Sequence, residues 1–275
     1  MRRNRALLVF GVLILAGFAA CALFPAAIAP YGPKEMDTPW LDPCPAHPLG
    51  TNDLGYDVLT ELIYATGTTL LAGVAAALIS LVVGTAAGLA AGWLPGWGGA
   101  LFGGLIQVFL MIPMLPMAIV VASFAGSGMR SIVLIIALLG WCGTARTVRA
   151  RAMQLRQAPF VESLCILGVP QRRIVLRHVL PNLYEVVLSR YIMSVAHCIM
   201  LEATLSFLGM GDPTAVTWGR MIHLAYRGGG FTRGAYHWLV SPGVCIALVV
   251  IAFYCVNQYF EGRSEAVAGG QSYAD

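Results

Sequence analysis

Charge is what this chain has least of. Charged residues make up 11% of its 275 residues, lysine occurs once, as Lys34, and histidine five times. Soluble domains carry about 25% charged residues, so a water-soluble globule of this size could not solvate its surface with so few. The lone lysine precedes Glu35. No glycine-rich turn therefore ends in Lys-Ser or Lys-Thr, which excludes a phosphate-binding loop and, with it, an ATPase. The seven cysteines contain no CxxC pair, which argues against structural zinc and a redox dithiol. Only Cys44 falls clearly outside the apolar runs on one side, and Cys165 lies in a polar block. His197 is the one histidine deep in an apolar run, so a pair of axial haem ligands within a membrane is missing. An intramembrane enzyme needs an acid, base or nucleophile constellation. His197 and Glu202 are five residues apart and fall mostly on different faces of a helix.

Apolar residues make up 58% of the chain, against roughly 45–50% in soluble domains. The length suits one membrane domain with several helical spans of about 20 residues each. Hydropathy predicts six spans: 6–29, 66–93, 100–125, 131–144, 183–208 and 238–260. The fourth is short, and it is expected to continue into Arg146 and Arg149, whose long stems can snorkel. All are expected to be helices, because in hydrocarbon each segment must satisfy its own backbone groups. The first could be taken for a secretory signal, but its apolar run exceeds the 7–15 residues usual for a signal core; it reads as a retained helix.

With the N-terminus inside, Arg2, Arg3 and Arg5, the seven arginines from Arg146 to Arg177, and Arg263 are cytoplasmic, eleven of the seventeen basic residues. The positive-inside rule then puts both termini and the polar block in the cytoplasm. Lys34, Arg130, Arg220, Arg227 and Arg233 fall outside, and Arg190 falls within the fifth span.

Three features inside the spans stand out. Gly84, Gly88 and Gly92 recur at intervals of four in the second span, a stripe on which a neighbouring helix can approach closely. Pro113 and Pro116 predict a kink in the third, and Met111, Met114 and Met117 around them an adaptable wall. In the fifth, Met193 and His197 share a face, with Cys198, Met200 and Glu202 nearby. Polar groups at this depth mark a pathway or an internal partner. Imidazole and soft sulfur could form a transient metal relay through His197, or a histidine bonded to a neighbouring helix among packing residues.

Between the fourth and fifth spans lies the polar block, Phe160-Val161-Glu162-Ser163-Leu164-Cys165-Ile166-Leu167-Gly168, then Arg172, Arg173 and Arg177, then His178-Val179-Leu180-Pro181-Asn182. Pro159 suits the first turn of a short helix, and Glu162 suits its positive end. Gly168 supplies a left-handed stop and Pro170 begins a second helix. Val161, Leu164, Ile166 and Leu167 are expected to give apolar contact surface.

Glu162, Gly168 and Leu180-Pro181 resemble the cytoplasmic loop by which the permeases of binding-protein-dependent ABC importers dock on their ATPase. The likeness extends over nearly the whole chain. His47-Pro48-Leu49-Gly50-Thr51-Asn52-Asp53-Leu54-Gly55-Tyr56-Asp57 is similar to the segment after the first helix in the dipeptide, oligopeptide and nickel permeases. So is Glu202-Ala203-Thr204-Leu205-Ser206-Phe207-Leu208-Gly209-Met210-Gly211, followed by Trp218-Gly219. Arg177-His178 before Leu180-Pro181 resembles the peptide and nickel branch rather than the sugar branch. Ser163 and Leu164 depart from the usual two alanines, Asn52 from a common Asp, and Tyr56 from a usual Arg.

The resemblance implies an all-α, type I importer permease fold with a cytoplasmic helix-turn-helix. It divides the chain into an N-terminal helix and outer segment (1–65), a permease core (66–262) and a cytoplasmic tail (263–275). Glu162, Ser163, Leu164, Gly168, Arg172, Leu180 and Pro181 would couple to the ATPase, while Met193, His197, Cys198, Met200 and Glu202 are pathway candidates. It further implies import of peptides, or alternatively of nickel or metal chelates, across a bacterial or archaeal cytoplasmic membrane. A second homologous permease, ABC ATPase subunits carrying ATP and Mg, an extracytoplasmic solute-binding protein and the lipid bilayer would be its partners; nucleic acid would not. This chain itself would hold no cofactor.

Overall fold

A computed structural model describes residues 2–126 and 128–271. Among the described residues, five helices are long and apolar enough to cross a membrane, or six if one bent pair is a single span. The first, α1 (Arg2–Leu23), ends earlier than hydropathy suggests, and a separate turn, α2 (Pro25–Ile28), follows. Pro25 has no N–H to continue the ladder. The second span, α3 (Val58–Trp93), begins eight residues before the apolar run. Asp57 caps it, accepting a hydrogen bond from the Thr60 N–H at 2.7 Å, and such a cap satisfies an otherwise orphaned donor.

The expected third span is corrected. Rather than one kinked helix, it is two, α4 (Trp97–Met111) and α5 (Met114–Ala125), bent by 92° at their junction. Ile112 precedes Pro113 and is extended at ψ 125°; the proline ring disfavours the helical region for the residue before it. The fourth span, α6 (Met129–Arg156), does run on through Arg146 and Arg149. The fifth is α10 (Tyr184–Phe207). The last, α12 (Tyr236–Gln271), passes through position 263 without a break. Residues 272–275 of the expected tail lie outside the described residues.

The glycine stripe is where α3 meets α6. A Cβ on Gly84 would lie 2.6 Å from the Trp141 carbonyl oxygen, one on Gly92 2.8 Å from that of Arg149, and one on Gly88 would collide with the carbonyl of Ala145. The two backbones approach as closely as hydrogen side chains permit, which supplies packing that lipid cannot match. Ser80 Oγ adds a hydrogen bond of 3.1 Å to the Ala137 carbonyl across the same seam.

At the other end of α10, the motif from Glu202 onward folds the chain back on itself. Gly209 takes φ +85°, and α11 (Trp218–Arg227) returns along α10 so tightly that a Cβ on Gly219 would sit 2.5 Å from Ala203 Cα. Trp218 is fully buried, its backbone N–H donating to Thr69 Oγ1 at 3.1 Å and its indole to the Leu62 carbonyl at 3.3 Å.

Candidate functional site

The polar block folds into two short helices joined by a tight turn, as its prolines and glycine predict. They are α7 (Pro159–Ile166) and a second helix formed by α8 (Gln171–Ile174), a π-helical turn (Val175–Val179) and α9 (Leu180–Asn182). Gly168 has φ +73°. Its N–H donates to the Cys165 carbonyl at 3.0 Å and that of Val169 to the Leu164 carbonyl at 3.1 Å, the pair of bonds that closes a helix in a Schellman turn. A Cβ there would meet nothing within 4 Å, so glycine is required for backbone conformation rather than space. The π turn precedes Pro181, where the missing N–H breaks the regular ladder.

This element hangs from the bundle by its apolar inner face. Val161, Ile174, Val179 and Leu183 are buried against Trp93, Val148 and Leu155, and Leu164 packs beside them. The Trp93 indole donates to Gln171 Oε1 at 3.1 Å. The expected contact surface therefore divides in two: Val161 and Leu164 attach the element to its own chain, whereas Ile166 and Leu167 are 81% and 77% exposed. Val161 and Leu164, three residues apart, share the attached face; Ile166 falls on the opposite side, and Leu167 lies just past the last residue of α7. Glu162, Ser163, Arg172, Leu180 and Pro181 are also exposed; Ser163 Oγ donates to the Pro159 carbonyl at 3.0 Å.

A cavity of about 380 Å³ opens near the middle of α10, bounded by the α4/α5 break and by α6 around Gly140–Thr144. Arg190, Met193, Ser194 and His197 line it. Their spacing of three, four and seven puts them on one helical face. Arg190 Nη2 donates to the Gly143 carbonyl at 2.9 Å. Of the pathway candidates, only Met193 and His197 reach this cavity. Cys198 is buried in the core, Met200 is 49% exposed, and Glu202 is fully buried, accepting a 2.7 Å hydrogen bond from Ser206 Oγ. Cys198 turns about 100° away from His197 into the core, whereas Met200, three residues on, stays on the same side of the helix but lies beyond the cavity lining. Among the described residues no group of three His, Cys, Asp or Glu stands close enough to hold a metal ion. Arg190 and Ser194 are the site residues that hydropathy overlooked, and the helical spacing from Met193 and His197 was the available signal.

The segment between α2 and α3 is built on polar bonds. His47 lies between Asp57 (Nδ1 to Oδ1, 2.9 Å) and Asp37 (Nε2 to Oδ2, 3.3 Å). The hydrogen bond to Asp57, then that to Asp37, raises the His47 pKa above its ordinary 6.5 against the opposing effect of burial, and bonds from Thr38 and His47 lower that of Asp37. A raised histidine pKa contributes stability that is full below about 6.5 and disappears as pH rises through the higher folded value. Purified protein is therefore expected to melt at a higher temperature at pH 6 than at pH 9, with a smaller difference in His47→Gln; equal pH slopes in the two proteins would refute this. In the turn between α10 and α11, Asp212 is held at about 2, chiefly by the Thr214 hydroxyl and backbone N–H, with the Met129 N–H adding a third bond.

Residues 84–265 match the family described as the binding-protein-dependent transport system inner membrane component. The chain belongs to that family. It is 31% identical over 267 residues to a peptide permease protein of Brucella suis, covering 96% of this chain and 87% of the relative. It is 32% identical over 267 residues to the di/tripeptide transport system permease protein of Pseudomonas aeruginosa, at 94% and 86% coverage. It is 33% identical over 236 residues to the glutathione transport system permease protein of Escherichia coli, at 84% and 77%. The chain is thus a multi-pass importer permease and not itself an enzyme. One departure in this permease now has a local reason. Asn52 donates from Nδ2 to Glu61 Oε2 at 2.9 Å while its Oδ1 accepts from the Leu54 and Tyr56 N–H groups. An aspartate at that position would set a second carboxylate against Glu61 and lose the donor.

Proposed function

We propose that this permease forms part of the translocation pathway for peptides in the cytoplasmic membrane of a bacterium or archaeon, both termini facing the cytoplasm. Residues 66–262 are the conducting core, 1–65 the first helix and outer segment, and 263–275 the cytoplasmic tail. A second homologous permease completes the pathway. ABC ATPases supply energy from ATP and Mg, and an extracytoplasmic binding protein delivers the cargo. The observation that carries this reading is the two-helix element below the bundle. It is anchored through Val161 and Leu164 and presents Ile166 and Leu167 to a partner. Glu162, Ser163, Gly168, Arg172, Leu180 and Pro181 shape and rim that surface, the positions at which the family resemblance puts ATPase contact. Peptide cargo is supported by the cargo in the relatives' names, none of the three being a nickel permease.

One set of measurements on the assembled complex tests this. In sealed right-side-out vesicles, a membrane-impermeant maleimide is expected to label Cys44, and to label exposed Cys165 only once the membrane is opened. ATPase subunits should then slow the reaction at Cys165. Complex purified with its binding protein should retain a peptide by mass spectrometry. Labelling of Cys165 in sealed vesicles would invert the topology, and a retained metal chelate without peptide would replace the cargo.

A further inference from the structure

Where α3 ends, an apolar groove of about 590 Å³ runs between it and the second helix of the polar block. Ala86, Leu89, Ala90 and Leu94 form one wall, and Val175 and Leu176 of the π-helical turn form the other. From Ala86 to Trp93 the helix rises roughly 10 Å, about two-thirds of one leaflet of a hydrocarbon core some 30 Å thick. Because α3 is a membrane span, this wall runs at the depth of lipid chains. Leu94 and Leu176 leave their side chains exposed at its mouth.

The polar side chains that reach the groove all stand at the end where α3 stops. Two of them are committed to each other: the Trp93 indole donates to Gln171 Oε1 at 3.1 Å, and Gln171 Nε2 donates to Cys165 Sγ at 3.4 Å. The third is Arg172. It is exposed, and among the described residues its guanidinium makes no hydrogen bond or ion pair. No carboxylate lines the groove among the described residues. A tryptophan at the end of a span marks the level of the headgroups, so the cation stands at that level and the apolar trough runs from it into the hydrocarbon.

One cation at the head of an apolar trough is complementary to an amphiphile with one anionic group and a long apolar tail. A guanidinium fork matches two phosphate oxygens with parallel hydrogen bonds, and basic pockets between membrane helices suit anionic headgroups. A zwitterionic headgroup fits less well, because its own ammonium offsets the phosphate and finds no carboxylate here. We propose that this groove binds one phospholipid of net negative charge, its phosphodiester held by Arg172 and one acyl chain laid along Ala86, Leu89 and Ala90 against the π-helical turn. The lipid bridges α3 and the two-helix element and braces that element from the membrane side. The site is separate from the cavity beside α10 and from exposed Ile166 and Leu167, and it holds whatever the cargo.

The test uses the complete importer in detergent, incubated with equal amounts of dioleoyl phosphatidylglycerol and dioleoyl phosphatidylcholine. Native mass spectrometry then counts lipid adducts on this permease after its release from the complex. Wild type is expected to retain at least threefold more phosphatidylglycerol than phosphatidylcholine. Arg172→Gln should bring that ratio close to one, whereas Arg173→Gln, which removes the same charge one residue on, should leave it unchanged. Equal retention of the two lipids by wild type, or equal losses in the two arginine variants, overturns the site. Counting on this chain keeps the readout valid where Arg172→Gln weakens ATPase docking. Ala86→Trp, which fills the deep end of the groove and leaves the cation in place, should lower phosphatidylglycerol retention at least threefold; wild-type retention in that variant overturns the tail groove. Excess glycerol phosphate should displace no lipid, and displacement would reduce the site to a phosphate contact without the groove. A photoreactive benzoylphenylalanine replacing Leu89 should yield lipid adducts in the assembled importer. A cross-link to the second permease or to the ATPase instead would show that protein covers the groove and would overturn the proposal.

Discussion

Replacing Ile166 and Leu167 together by aspartate is expected to abolish transport while leaving the permease folded and inserted. Both side chains project from the end of α7 and take no part in the cluster that attaches it to the bundle. Burying an isoleucine or a leucine contributes roughly 1.5–3 kcal/mol. Losing both, even partly, removes on the order of 3 kcal/mol of docking, about a hundredfold in affinity. Peptide-stimulated ATP hydrolysis and uptake in proteoliposomes should fall at least tenfold, and the permease should elute without its ATPase on size exclusion. A matched pair at Val161 and Leu164 would act differently, lowering the melting temperature of the permease itself. Wild-type uptake by the Ile166, Leu167 double variant would mean that the ATPase docks elsewhere. Gly168→Val should weaken coupling more mildly. The backbone at φ +73° then carries a left-handed penalty of about 1–2 kcal/mol, without any steric collision.

The second large effect is expected in the seam between α3 and α6. Gly88→Leu would drive a side chain into the Ala145 carbonyl and to within 2.9 Å of Val148 Cβ. Overpacking of this kind destabilises by typically 1–3 kcal/mol, and here the obstacle is backbone, which cannot rotate aside, so the upper end, roughly 3 kcal/mol, is expected. The melting temperature in detergent should drop by several degrees and the yield of monodisperse protein should fall. Gly104→Leu is the control, since a Cβ at that exposed position would meet nothing within 4 Å. If the two variants melt together, close approach along the glycine stripe does not hold these helices.

Much of this architecture can be read along the chain, because its causes are local. Apolar runs become helices wherever hydrocarbon leaves the backbone no other partner. Pro113 ends a helix through a clash with its immediate neighbour, and Gly168 turns the chain because it alone among the residues around it has no Cβ. The same locality explains the errors. Hydropathy placed the start of the second span at 66, since Asp57, Thr60, Glu61 and Tyr64 are unlike lipid-facing sequence, yet the helix begins at Val58 because Asp57 caps it. Pro113 announces a kink, but the 92° angle depends on what α4 and α5 pack against.

The functional surfaces divide along the same line. Sequence alone determined that the chain crosses the membrane, carries no ATPase of its own and exposes a two-helix element between its fourth and fifth spans, since each follows from composition or from residues within a few positions of one another. Only the tertiary structure decided that Ile166 and Leu167 face outward while Val161 and Leu164 face the bundle. It alone buried Glu202 and Cys198, and it brought Arg190, Ser194 and His197 from one helix to the Gly143 region of another and to the break after Met111. Helical periodicity puts residues on a common face, but which face meets a neighbour, a cavity or lipid is set by the packing of segments far apart in sequence.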